Sequence, residues 1–345
     1  MAQTVPSGDN TLLRETVSVR KIGRLERFLG PENYRILQGM MKTPASIAGF
    51  CLVLMFVLIA VFAPQIIPPV SKDPLSIPRD GYRSNPQPMG AAWTRNVPDI
   101  PFWYKALTGN DKWVHILGTS EGQYDIFYGI IWGTRTAFYA SMIVTISTFL
   151  IGVLYGSVAA FYGGFVDMLL MRIVDVLSIL PGILAALILA AIITPLIGKS
   201  TLPVMIALIA FGWMGYTRFI RADILSVRER DYVLAAKVVG VKDSRILFSH
   251  ILPNAIFPTL ILASLAIGDV VLSFAALSFL GIGVEIGYAD WGQLLSFARN
   301  WITSLNTYWY IITWPGVALL LFVMGWNLIG DALRDVLDPR MRGKM

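Results

Sequence analysis

The feature that most constrains this chain is a series of long apolar runs. Residues 46–67 read SIAGFCLVLMFVLIAVFAPQII without one charged side chain. An uninterrupted run of about 20 such residues is the length that crosses the hydrocarbon core of a bilayer as a helix. Comparable runs cover 137–161, a segment opening at Asp175, 202–218, 256–280 and 309–328. Lipid offers the backbone no hydrogen-bond partner, so each run must satisfy its own amides as a helix. The fold class predicted is an all-α polytopic membrane protein with six transmembrane helices. Charged residues make up only 14% of the 345-residue chain, against about 25% in soluble domains.

The net charge of +6 raises nucleic acid as a partner, but the Lys and Arg residues cluster beside apolar runs. Anionic lipid and the positive-inside bias account for that placement, and no nucleic-acid partner is predicted. Cys51 is the single cysteine and lies in an apolar run, which excludes a disulfide framework or a thiolate metal site. His115 and His250 fall on opposite predicted sides and read as ordinary interfacial residues. No metal site is predicted.

Taken in order, residues 1–45 form a basic N-terminal arm, in which 20–41 suits either a helix on the membrane surface or a disordered arm. Its charge keeps the N-terminus cytoplasmic, and no cleaved signal is read, because the first apolar run starts near Ser46. The first transmembrane helix occupies 46–68. A 69–130 external loop rich in Pro, Trp and Tyr follows, too long for a tight connection and read as a small subdomain or lid. Residues 131–330 carry the other five helices, and 331–345 form a cytoplasmic tail. Six crossings put both termini inside, in a cell (plasma or inner) membrane.

Within the core, Gly152 and Gly156 make a GxxxG pattern that suits close helix contact inside a bundle. A short turn is predicted over 162–171. Arg172 and Asp175 stand three residues apart on one helical face, so Arg172 is the predicted partner of Asp175. Pro181-Gly182 should kink that helix, and Trp314-Pro315-Gly316 the last one. Gly198-Lys199-Ser200 imitates the end of a phosphate-binding loop, but Ile193 stands where the first glycine is required, leaving a turn. Asp269 lies deep in the fifth run and must face helices or a wet pore.

The most basic stretch is Arg218–Asn254. Two short helices, 232–239 and 244–251, are predicted there, with Gly240 allowing the backbone to reverse. Ala235-Ala236 would let another surface approach closely. The spacing Ala-Ala-x3-Gly-x11-Leu-Pro, ending at Leu252-Pro253, resembles the coupling loop of ABC importer permeases (type I fold), here 223–253. Residues 118–342 are similar to the peptide/nickel branch, C-type subunit. Gly118, Thr119, Asp125, Gly133 and Arg135 fall on its Gly-Thr-Asp-x-x-Gly-x-Asp…Gly-x-Arg pattern, with Ser120 in place of the usual Asp. Met171, Arg172, Asp175 and Pro181 match another motif. So do Ala275–Gly283, Trp291-Gly292 and the tail Gly330-Asp331-Ala332-Leu333-Arg334-Asp335 through Asp338-Pro339. Leu234 stands where the family often has Glu, and Phe274 where an acid is common.

The resemblance implies a translocation subunit and not an enzyme, paired with a second, B-type permease. Two cytosolic ATPases would hold ATP and Mg, with no cofactor on this chain, and an external binding protein would deliver di- or oligopeptides. Oligosaccharides and chelated nickel are the alternative cargoes. It implies ATPase contact at Asp231, Ala235, Ala236, Gly240, Leu252 and Pro253. Asp125, Arg135 and Trp291 are the implied external gate or loop, and Asp269, Asp175 and Arg172 are candidate pore or structural residues. The rival classes are a membrane-embedded enzyme built on Asp175, Asp269, Glu285 or Asp290, and a structural subunit.

Overall fold

A computed structural model describes residues 43–94, 100–109 and 112–337. The surface-helix segment 20–41 and the tail residues Asp338-Pro339 lie outside those residues. Helix α1 is Pro44–Ile66, opened by Thr43, whose hydroxyl accepts the Ser46 amide at 3.3 Å. Most of its apolar side chains are unburied, as on a helix that faces lipid. Pro64 removes the amide that would have served the Ala60 carbonyl. Arg135 fills that vacancy: its Nε donates to Ala60 O at 2.6 Å, and the guanidinium lies 4.9 Å over the Trp132 ring.

Arg135 therefore does not sit in an external loop. After the short helix α2, Phe102–Thr108, it belongs to α3, Ile126–Tyr162, which starts well before the apolar run at Ala137 because Asp125 caps it, accepting the Tyr128 amide at 2.7 Å. The early turns carry Gly129 and Gly133, and a Cβ at either would stand 3.0 Å from Leu294 or Trp291. The predicted turn over 162–171 is replaced by Gly163 alone, at φ +64°, followed at once by α4, Gly164–Leu177. Pro181 breaks the span as expected, and α5, Gly182–Ile197, leaves at 78° to α4.

Gly198-Lys199-Ser200 is a turn and a cap, with the Ser200 hydroxyl accepting the Leu202 amide at 3.3 Å. It opens α6, Thr201–Arg228. Next come α7, Asp231–Val238, and α8, Asp243–Phe279, the latter containing a π turn at Leu247–Ile251. The chain ends with α9, Trp291–Phe297, and α10, Tyr310–Leu337, which runs on through Pro315. Among the described residues five helices are long and apolar enough to cross a membrane, or six if the bent pair α4–α5 is one span.

The most extensive helix contact is α3 on α6. Cβ atoms at Gly152 and Gly156 would stand 2.6 Å from Trp213 O and 2.5 Å from Thr217 O. The Thr217 hydroxyl donates to Gly152 O at 3.3 Å. The GxxxG pattern is thus an internal seam, where absent side chains let two backbones meet.

Opposite the α7 end, residues 69–94, 100–109, 112–125 and 282–308 fold together over the helix ends. The isolated bridge Ser76–Tyr288 joins them, and Arg79–Tyr124 closes the first segment on itself. The Ile77 amide donates to Gly287 O at 2.7 Å. His115, read as interfacial, is fully buried: its Nδ1 lies 2.7 Å from Asp125 and its Nε2 3.4 Å from Asp80. Asp80 also accepts from the Thr94 amide and the Gln87 side chain. One imidazole between two carboxylates pins three separate loop segments.

Candidate functional site

Helix α7 is rooted and capped by its own sequence. Val233 is fully buried against Ile220, Ile224 and Val227 of α6, and Ile246, Ile251 and Ala255 of α8. Ala236 packs partly against that cluster, while Ala235 faces out. The two alanines therefore divide between root and surface. Gly240 has φ +79°, and the amides of Gly240 and Val241 return to Lys237 O and Ala236 O at 3.0 and 3.1 Å. That is a left-handed helix stop, which glycine adopts without cost.

Asp231 is exposed in the first turn, where the helix dipole favours an acid. Leu252 and Pro253 do not close a loop. They lie inside α8, just past the π turn, with Leu252 half-buried and Pro253 exposed. Sequence reasoning passed over the most exposed apolar residues of the loop, Val238 at 88% and Val239 at 81% exposure. The signal was available: two valines in a polar turn have no core to enter.

Two ion pairs tie α4 to α6. Arg221 grips Asp167 bidentately, both N–O distances being 2.6 Å. Arg218 reaches Asp175 at 3.3 Å and donates to the Ser178 hydroxyl at 2.9 Å. The predicted partner Arg172 is exposed and does not hold Asp175. The correction has a geometric cause: spacing along one helix showed Arg172, whereas the neighbouring helix presents Arg218 across the gap. Arg228 also donates to the carbonyls of Ala160 and Phe161, closing the end of α3.

Farther along the helices, α3, α5, α6 and α8 line an open-sided cavity of about 390 Å³. Gly182 at the break, Gly212, Gly215, Phe219, Asp269 and Ser273 are among its lining residues. Asp269 is exposed into this space, so an intramembrane carboxylate opens onto a cavity instead of packing into the core.

The proposed gate residues are structural in this arrangement. Trp291 is 1% exposed, rings Phe56 and Phe322 lie 5.7 and 5.5 Å away, and its indole donates to Ile130 O. Asp125 is the buried cap and the His115 partner. Asp290 caps α9, accepting the Gln293 amide at 3.0 Å, and burial pushes its carboxyl up to about 6. Asp175, Asp269, Glu285 and Asp290 thus occupy separate surroundings: an ion pair, a cavity wall, an exposed loop and a cap.

Residues 152–343 match the family model described as "Binding-protein-dependent transport system inner membrane component". The chain is similar to the dipeptide transport system permease protein DppC of Alkalihalophilus pseudofirmus, at 31% identity over 88% of each chain. It is similar to the oligopeptide transport system permease protein OppC of Bacillus subtilis, at 33% identity over 66% of this chain and 74% of the relative. The glutathione transport system permease protein GsiD of Pectobacterium atrosepticum is 34% identical over 70% of this chain and 78% of its own length.

Proposed function

Because this chain belongs to the family of binding-protein-dependent transport system inner membrane components, we propose that it is the C-type permease subunit of an ATP-driven peptide importer. The observation that carries this is α7: a short helix with a buried root at Val233 and an apolar, exposed tip at Val238 and Val239. An apolar tip held in place by a packed root suits a socket on a partner protein. The relatives are named for dipeptides, oligopeptides and glutathione, and the cargo read for this chain is a short peptide.

In this reading a second, B-type permease completes the passage and an external binding protein delivers cargo to the subdomain end. Two cytosolic ATPases, carrying ATP and Mg, bear on α7, and both termini of this chain are cytoplasmic. The chain performs no hydrolysis itself. Asp231, Ala235 and Gly240 shape the contact, while Ala236, Leu252 and Pro253 support it from behind.

The route inward follows the bonds already described. A push on α7 moves α6, and the Arg221–Asp167 and Arg218–Asp175 pairs carry α4 with it. α4 ends at the break 178–181, and the far side of that break, Gly182, lines the cavity. A rigid α4–α6 unit working against a flexible break is a hinge. ATP and cargo must bind its two positions with different affinity for work to be coupled.

The test is uptake of a labelled tripeptide into proteoliposomes holding the transporter purified with its co-purifying subunits and binding protein. ATP-dependent accumulation supports the reading. A wild-type assembly that hydrolyses ATP and accumulates no peptide refutes it.

A further inference from the structure

Asp269 lies near the middle of the membrane-crossing length of α8. Ten positions separate it from Phe279, about 15 Å at 1.5 Å per residue, half of a core about 30 Å thick. A carboxylate at that depth is expensive and is retained where something pairs with it. Among the described residues no Lys, Arg or His forms an ion pair with Asp269. Arg218 and Arg221 are engaged by Asp175 and Asp167.

Its surroundings describe what the missing partner resembles. Ser273 stands one turn along the same helix and lines the same cavity, as does Tyr216. Phe211 and Phe219 supply aromatic faces, which attract cations and apolar side chains alike. A single carboxylate with hydroxyls is too few oxygens for a hard divalent ion, which takes six or more. It matches a primary ammonium, whose three donors need a carboxylate and neutral oxygens. The volume, about 390 Å³, falls in the range of small-ligand sites.

Resting on the peptide-importer reading, we propose that Asp269 is the cargo-facing recognition carboxylate of this cavity and takes the free amino terminus of a peptide. Ser273 and Tyr216 share the ammonium, and the aromatic wall receives the first side chain.

The experiment uses the detergent-purified assembled transporter washed free of its external binding protein. Equilibrium binding of labelled trialanine is measured at millimolar concentrations, with N-acetyl-trialanine as competitor. Wild type should bind trialanine saturably and N-acetyl-trialanine at least about 10-fold more weakly, the effect of losing a charged hydrogen bond. Asp269→Asn should abolish the preference, and Asp269→Glu should keep it. Retained preference in Asp269→Asn, or no saturable binding by wild type, overturns the proposal. So does loss of the second permease from the Asp269→Asn preparation, which would assign the carboxylate to subunit assembly. None of these results bears on uptake with the binding protein present, so failure of the importer reading is seen separately.

Discussion

Replacing Gly156 by alanine should force α3 and α6 apart. A Cβ at Gly156 would stand 2.5 Å from both Thr217 O and the Ile220 side chain, where ordinary contact begins near 3.4 Å. The shortfall is about 0.9 Å, and one of the two obstacles is helix backbone that cannot rotate away. Overpacking of this kind costs about 1–3 kcal/mol. The seam also carries the Thr217–Gly152 hydrogen bond, so separation weakens a second contact. Gly215 supplies the control: it lies on the same α6, with no atom within 4 Å of an added Cβ. Gly215→Ala should leave stability unchanged or raise it, by up to about 1 kcal/mol of helix propensity. Thermal unfolding of the purified chain in detergent, followed by size exclusion, reads both. Gly156→Ala should lose several degrees and Gly215→Ala none. Equal losses for the two would refute the claim that the GxxxG pattern is an internal seam.

Arg221→Ala should cost about 1.5–3 kcal/mol, since it strands Asp167 after removal of a bidentate, charge-assisted pair. The exchange Asp167→Arg with Arg221→Asp should recover part of that loss in unfolding and in uptake, and a double variant no better than either single one would refute the role of this pair in tying α4 to α6. Asp290 makes stability depend on pH. Its folded value of about 6 lies above the usual 3.8, so the native state holds the proton longer, and this group's contribution falls as pH rises from 4 through 6. The gap amounts to roughly 3 kcal/mol at pH 7. Asp290→Asn keeps the cap and should be more stable than wild type at pH 7 but similar at pH 4. Unfolding curves for both proteins at the two pH values check this, and parallel behaviour would contradict it.

What could be read from sequence divides by range. The apolar lengths, the break at Pro181 and the reversal at Gly240 are local consequences of chain chemistry, and each stands where it was expected. Helix α3 was read short because Gly129, Gly133, Thr134 and Arg135 interrupt its apolar run. Gly129 and Gly133 are instead the seats of Leu294 and Trp291, Thr134 donates to the Ile130 carbonyl, and Arg135 donates to the carbonyl freed by Pro64. Partners across helices were invisible to spacing. Arg218 lies 43 positions from Asp175 and Arg221 lies 54 from Asp167, so the nearer Arg172 drew the pairing. His115 reads as interfacial in sequence for the same reason, since Asp80 and Asp125 reach it only after the loops fold.

The central claim is that α7 is where ATP-driven motion enters this chain. With Cys51→Ser as background, Val238→Cys places a thiol on the exposed tip, and Phe102→Cys places one at the opposite end, where Phe102 is 80% exposed. Thiol-directed crosslinking of the assembled transporter, with the adducts identified by mass, tests it directly. The account predicts that position 238 joins a nucleotide-binding subunit and that position 102 does not. Adducts from position 238 that contain no ATPase, in an assembly that still takes up peptide, would contradict it.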